Sequence, residues 1–347
     1  MEKINFFYGL ASFIILVLLI LSMPFYQERK FLKFKIELNT FKFLILAISF
    51  FLLINTSNKN IPYPTGDGRE YVLTTEAMFN HNSADLRLED AQSFKKESTI
   101  KKAWGKIPNN DFFDLVENFL KRKNSLGFLD NFYDSFYVNK EQKVYVHHLI
   151  FYSLINVPMR YIMHWIGQKP LLGFEYTNIV LILLTCSLLL FYNKNSLWNS
   201  LAITLLFFFN AIFWYVNWIH NEAITACFAS ASIFLLFQKR NYLAVLLMSI
   251  AALQNQPLAI LVLTIVLYTI YLNNFSKKSF LLSGLASIIV LWPSLFYYAH
   301  YGITDLISHG RCLSITNITP ERFIGFFYDL NQGAILAYSS KETSLQE

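Results

Sequence analysis

Long apolar runs dominate the chain on both sides of one polar region. A membrane-spanning helix needs about 20 apolar residues, with a usual range near 17–25. Eight runs approach that length: 6–25, 41–56, 174–192, 197–217, 222–237, 241–254, 257–272 and 279–299. The polar region, 56–144, separates the second run from the rest. The pattern predicts an all-α polytopic membrane protein, with a bundle of about eight spans and one large loop.

Basic residues orient such a chain, because Lys and Arg are enriched in cytoplasmic loops. The connection 26–40 holds four of them, and later connections hold Lys194, Lys239–Arg240 and Lys277–Lys278. All of these basic connections lie on the cytoplasmic side only if the stretch 145–166 does not cross the membrane. That stretch carries several His, Asn and Arg residues, a pattern typical of an interfacial amphipathic helix. We therefore predict an outer juxtamembrane helix at 145–166; an ordinary third span is the alternative.

Four regions follow from this topology. They are two N-terminal transmembrane helices (1–56), an extracytoplasmic loop that includes the interfacial helix (57–173), a six-helix transmembrane bundle (174–299), and an outer segment with a short terminal helix (300–347). The last apolar stretch, 323–338, stops short of a full span. It indicates either an incomplete helix or a chain truncated relative to longer proteins.

Composition narrows the class of protein further. Hydrophobic residues make up 54% of the chain and charged residues 15%, whereas a soluble domain has about 25% charge. The region 56–144 alone holds 13 of the 23 acidic and 13 of the 29 basic residues. An ordinary soluble domain, a disordered chain and a nucleic-acid-binding protein are thereby excluded, so no nucleic-acid partner is expected.

Neither the cysteines nor the known motifs indicate a cofactor. Cys186 and Cys227 lie inside apolar runs, and with Cys312 they form no disulfide or metal-binding spacing. The chain has no P-loop, no dinucleotide-binding glycine motif and no H-E-x-x-H motif. No cofactor is therefore evident, no metal ligand is assigned, and a requirement for a divalent metal is left open.

The polar loop opens with a turn that presents an acidic residue. Pro64, Gly66 and Gly68 favour a turn around Asp67, and the following 71–80 is predicted to be helical. Asp67 either caps that helix or acts as a general base at the membrane surface. The turn follows directly on an outward-going helix, which would place the carboxylate near a lipid-borne substrate.

Six further residues are candidates for substrate binding at the outer surface. Glu70 could form a paired-acid site with Asp67, and a histidine could bind phosphate or shuttle a proton. Arg suits bidentate contact with a phosphate. A solvated or anchoring role is the alternative for each. The six are Glu70, His147, His148, Glu222, Arg311 and Arg322.

Taken together, these features resemble a known family. The D-G-x-x-Y turn at Asp67, the long outer loop, a His-containing juxtamembrane segment and a many-span bundle are similar to the GT-C glycosyltransferase superfamily. Within it, the chain most resembles bacterial members of the dolichyl-phosphate-mannose–protein mannosyltransferase-like group. The similarity covers about 41–338. It includes WIHNEAIT around Glu222 and YVHHLIFYSLINVP (145–158). The second segment resembles the family's His-Pro-containing segment, but no proline is adjacent to its two histidines.

The resemblance implies an enzyme of the bacterial cytoplasmic membrane. Its donor would be a sugar linked to polyprenyl phosphate in the lipid bilayer, and its acceptor an extracytoplasmic glycan, lipid or protein. Asp67 matches the essential acidic residue of the family's first outer loop. Two other classes of function stay open, a noncatalytic membrane assembly protein and a lipid or solute transporter.

Overall fold

The computed structural model describes residues 38–57, 64, 66–100, 110–132, 135–191 and 215–306, and these are mostly helical. Within these described residues, ten α-helices and three strands follow in chain order: α1 (Leu38–Ser57), α2 (Gly68–His81), α3 (Leu88–Ile100), α4 (Asn110–Arg122), β1 (Asn131–Phe132), β2 (Phe136–Val138), β3 (Val144–Val146), α5 (Phe151–Trp165), α6 (Leu172–Phe191), α7 (Glu222–Phe237), α8 (Asn241–Gln254), α9 (Ala259–Leu272) and α10 (Lys277–Tyr301). Short 3₁₀ turns at Lys123–Ser125 and Gln256–Leu258 follow α4 and precede α9.

Two of the described helices are long and apolar enough to cross a membrane, α6 and α10. Six of the eight predicted spans coincide with described helices, but α7, α8 and α9 have only 14 to 16 residues. Within α1 (Leu38–Ser57), the stretch Lys42–Ile54 is apolar. The run 6–25 and nearly all of 197–217 lie outside the described residues. The bundle of eight spans therefore remains a prediction.

The apolar helices pack around a common core. Helix α8 contacts α7, α9 and α10, while α6 contacts α1 and α7. Their buried side chains include Ile182, Cys186, Val245 and Met248. Only 17% of the most apolar stretch of helix α10 is buried, and the helix exposes large apolar side chains such as Leu281 and Ile288.

A second core lies in the polar loop and contains the part of the fold that the sequence did not predict. Strands β1, β2 and β3 form an antiparallel sheet, with Tyr137 opposite Tyr145. The sheet shares its core with α2, α3 and α4. The all-α prediction is wrong here, because strands of two or three residues are too short to show an alternating pattern.

The predicted helix at 145–166 is also corrected. Its first residues complete β3, His147–Ile150 form a turn, and the helix begins only at Phe151. Helix α5 is amphipathic in the reverse of the usual sense for a water-soluble protein. Its polar residues Ser153, Asn156 and Arg160 are buried, whereas Trp165 is 86% exposed.

The buried polar face of α5 is joined to α2. The Arg160 guanidinium binds the Glu76 carboxylate through Nε at 2.6 Å and Nη2 at 2.9 Å. Ser153 Oγ donates to the Tyr71 carbonyl at 3.1 Å. These contacts hold together the two segments that carry the candidate site, the start of α2 and the turn before α5.

Candidate functional site

The turn before α2 presents Asp67 as the sequence predicted, but not as a side-chain cap. Gly66 has φ +52°, a left-handed conformation that glycine adopts without steric cost. Asp67 occupies the N-cap position, and its carbonyl accepts from the backbone N–H groups of Glu70 and Tyr71. Its side chain makes no cap hydrogen bond. The capping alternative is therefore wrong, and the carboxylate is turned towards other groups.

A close backbone approach brings a distant loop to this turn. A Cβ atom on Gly68 would lie 2.7 Å from the carbonyl oxygen of Ile219. Only glycine fits that contact without movement of the backbone. The approach places His220 and Glu222 beside Asp67, although about 150 residues separate them in the chain.

Two imidazoles flank the Asp67 carboxylate. Oδ2 lies 3.0 Å from His148 Nε2 and 3.3 Å from His220 Nε2. Hydrogen bonds with His148 and His220 hold the pKa of Asp67 well below its usual range, against the opposing effect of burial. Oδ1 has no hydrogen-bond partner among the described residues, and the side chain is 37% exposed. Asp67 is thus a partly exposed carboxylate with a lowered pKa, and its Oδ2 faces two imidazoles.

Glu70, one turn into α2, is the buried counterpart of Asp67. Its Oε2 lies 2.8 Å from His148 Nδ1 and 3.2 Å from His147 Nδ1. Burial acts to raise the pKa of Glu70, but contacts with His147 and His148 outweigh it and the pKa is lowered. His148 therefore bridges two carboxylates through its two ring nitrogens.

The two bridging imidazoles favour their protonated form. Burial alone would lower the pKa of His148, but hydrogen bonds with Asp67 and Glu70 raise it to about 9. His220 responds in the same way, because hydrogen bonds with Asp67 and Glu222 outweigh burial and raise its pKa to about 9. The site alternates carboxylates and imidazoles, so that each charge faces an opposite one.

Side chains of the bundle fix the turn that carries the histidines. Gln254, at the end of α8, donates to the Leu149 carbonyl at 3.0 Å and to the Tyr71 hydroxyl at 3.2 Å. Its Oε1 accepts from the Tyr152 backbone N–H at 2.8 Å. The Tyr297 hydroxyl of α10 donates to the His147 carbonyl at 2.8 Å. The site thus lies where the polar loop meets the apolar helices.

The structure brings together five of the seven residues singled out from the sequence. Asp67, Glu70, His147 and His148 contact one another in a chain, and Glu222 joins them through His220. Arg311 and Arg322 lie outside the described residues.

Sequence reasoning left three participants out of the site: His220, Tyr71 and Gln254. His220 had a signal, since it is two residues from Glu222 at the polar end of an apolar run. Gln254 ends an apolar helix and Tyr71 belongs to the D-G-x-x-Y turn. No local sequence pattern pairs Tyr71 with Gln254, because the two residues are 183 positions apart.

One group among the described residues has donor atoms placed for a metal ion. Single ligand atoms of Glu70, His147 and His148 all lie within 4.8 Å of one another. Comparisons with family models, curated proteins and solved structures found no match to this chain.

Proposed function

We propose that the chain is a multi-pass enzyme of the bacterial cytoplasmic membrane, of GT-C type, that transfers a sugar from polyprenyl phosphate to an extracytoplasmic acceptor. The observation that carries the proposal is the Asp67 carboxylate, which holds two imidazoles on Oδ2 and leaves Oδ1 to a ligand. An acceptor hydroxyl needs such a group to take its proton.

A membrane location is supported by the exposed apolar surfaces of α10 and α5. Helix α10 exposes a stripe at helical spacing that includes Leu281, Leu285, Ile288 and Leu295. Helix α5 turns its apolar side outward, with Trp165 at its end. Lipid would cover both surfaces, with α5 along the interface, where Trp and Tyr are favoured. The site would then lie at the outer ends of the spans, within reach of a lipid-linked donor.

The proposed reaction is one direct displacement. The acceptor oxygen bonds to sugar C1 while the bond from C1 to the phosphate oxygen breaks, and that electron pair leaves with polyprenyl phosphate. The hydroxyl proton goes to Asp67 Oδ1. A single displacement inverts the configuration at C1.

The low pKa of Asp67 is compatible with this role. A strongly ionised carboxylate is a weak base, but glycosyl transfer has an oxocarbenium-like transition state. The acceptor hydroxyl becomes strongly acidic as its oxygen bonds to C1, so a weak base suffices late in the reaction. His220, whose pKa is raised to about 9 by hydrogen bonds with Asp67 and Glu222, supplies positive charge near the departing phosphate.

The test is transfer from labelled polyprenyl-phosphate sugars by the full chain in proteoliposomes. We expect product with at least one lipid-linked sugar and none with the corresponding nucleotide sugar, since the chain has no nucleotide-binding motif. Absence of transfer from a panel of hexose and pentose donors would instead favour the noncatalytic assembly protein.

A further inference from the structure

We propose that Glu70, His147 and His148 bind one zinc ion. The inference goes beyond sugar transfer, because metal binding can be measured with no donor or acceptor present. Two imidazole nitrogens and one carboxylate oxygen form a common ligand set for zinc sites that keep a fourth position open for water or substrate.

The distances fit such an ion. Zinc bonds to nitrogen and oxygen are about 2.0–2.2 Å, so two ligand atoms on a tetrahedral ion are about 3.4 Å apart. Glu70 Oε2 lies 2.8 Å from His148 Nδ1 and 3.2 Å from His147 Nδ1. The first pair would have to separate by about 0.6 Å and the second by about 0.2 Å to reach the spacing that zinc requires.

His147 gives an independent reason to place an ion there. Its Nδ1 is buried and, at 3.2 Å from Glu70 Oε2, is not aligned to form a hydrogen bond with any described residue. A buried ring nitrogen without a hydrogen bond is costly. A zinc ion between Nδ1 and Glu70 would satisfy that nitrogen without requiring hydrogen-bond alignment.

The surroundings hold the three ligands in place. The His147 backbone is fixed on both sides, by its N–H to the Ser135 carbonyl at 2.9 Å and by its carbonyl to the Tyr297 hydroxyl at 2.8 Å. His148 Nε2 lies 3.0 Å from Asp67 Oδ2. A carboxylate on the far nitrogen of a ligating histidine fixes the tautomer and strengthens the ligand. The ion would take the place of the proton between His148 Nδ1 and Glu70.

The chemistry of these three ligands favours zinc over magnesium and calcium. Cys186 and Cys227, the cysteines that the structure describes, are buried in the apolar core far along the chain from this set. Imidazole suits zinc, whereas sites made of carboxylates and carbonyls suit magnesium and calcium. Two of the three donors here are histidines, so the site suits zinc better than magnesium or calcium.

The experiment measures bound metal on the full-length protein, purified in detergent without a polyhistidine tag. The protein is stripped with a chelator, reloaded with zinc, washed and analysed by mass spectrometry for metal. We expect about one zinc per chain in the wild type. Loss of a residue that only supports a metal ligand weakens metal binding by about 10–100-fold. Glu70→Gln and His147→Gln each remove a ligand, so each should weaken zinc binding by at least that factor.

His81→Gln is the matched control, because His81 also contacts a buried carboxylate, that of Asp90 at 3.0 Å, but lies outside the proposed ligand set. It should keep the wild-type zinc content. X-ray absorption at the zinc edge of the loaded wild type needs no variant to fold. We expect a first shell of nitrogen and oxygen, with two imidazoles and no sulfur.

Less than about a tenth of an ion per wild-type chain after reloading with excess zinc would overturn the proposal, as would unchanged zinc content in both ligand variants. A sulfur-containing shell would overturn it as well. Transfer activity is measured separately, so loss of the zinc site leaves sugar transfer standing, and failure of sugar transfer leaves the zinc measurement unaffected.

Discussion

At the scale of single residues, the site is a set of opposite charges that depend on one another. Hydrogen bonds with two imidazoles lower the pKa of Asp67, and each of those imidazoles lies between two carboxylates. Removal of one member changes the charge state that its neighbours prefer.

Stability should depend on pH through His220. Its pKa is about 9 in the folded protein and 6.5 without the fold, so its contribution is complete below pH 6.5 and is lost as pH rises through 9. We expect the unfolding temperature, measured in detergent with a chelator present, to fall across this window. The fall should be smaller in His220→Gln; an equal fall in both proteins would contradict the assigned pKa.

Gly68→Ala should destabilise the protein and separate Asp67 from His220. The added methyl group would meet the Ile219 carbonyl at 2.7 Å, and overpacking of this kind costs about 1–3 kcal/mol. The matched control is Gly284→Ala on α10, where no atom lies within 4 Å of the added carbon. Alanine there should be neutral or stabilise the helix by up to about 1 kcal/mol. Chemical denaturation in detergent measures the unfolding free energy of both variants. Equal changes in the two variants would contradict the close approach of Gly68 to Ile219.

At the scale of helices, α2 and α5 act as a pair that positions both halves of the site. Glu70 lies in the first turn of α2, and the histidines lie in the turn before α5. The Arg160–Glu76 ion pair joins these helices where both side chains are almost fully buried. The guanidinium also lies over the Phe79 ring, 4.1 Å from its centre.

Loss of one partner should be more harmful than replacement of both. Arg160→Met leaves the Glu76 carboxylate without the guanidinium, and breaking a buried pair costs about 3–5 kcal/mol. The double variant Glu76→Leu with Arg160→Met removes both charges and should recover most of that loss. Unfolding free energies in detergent provide the measurement. A double variant no more stable than Arg160→Met would contradict the role of the pair.

The outward face of α5 should contact lipid. Trp165 is 86% exposed on a helix whose polar residues Ser153, Asn156 and Arg160 are buried. A spin label at position 165 should be reached more readily by oxygen, which concentrates in lipid, than by a water-soluble nickel complex. A label at Lys121, which is exposed near the end of helix α4, should show the reverse order. Equal access at both positions would remove α5 from the interface.

At the scale of the molecule, the sequence predicted more of the element pattern than of the spatial arrangement. Apolar runs located α6, α7, α8 and α10 to within about two residues, because burial in a bundle requires an apolar helix whatever its neighbours are. The small sheet left no such pattern, as its strands have two or three residues each.

The convergence of the site could be predicted only in part. A helix start at Asp67 and polar residues at helix ends indicated which residues could meet. The zinc ligands could not be found by spacing, since Glu70 and His147 are 77 positions apart and no metal motif has that separation. The contact between Gly68 and Ile219 is likewise a tertiary contact between distant residues, and no local sequence pattern predicts it.

The Asp67→Asn substitution tests the central claim, a carboxylate base for sugar transfer at Asp67, most directly. Asparagine preserves shape but cannot accept the proton, and loss of general-base assistance costs about 10²–10⁴-fold in rate. Asp114→Asn, an exposed site on α4, is the matched control and should keep the wild-type rate. The measurement is the initial rate of transfer from a polyprenyl-phosphate sugar in proteoliposomes at equal protein content. The account predicts at least a 100-fold loss for Asp67→Asn alone; a wild-type rate in that variant would contradict it.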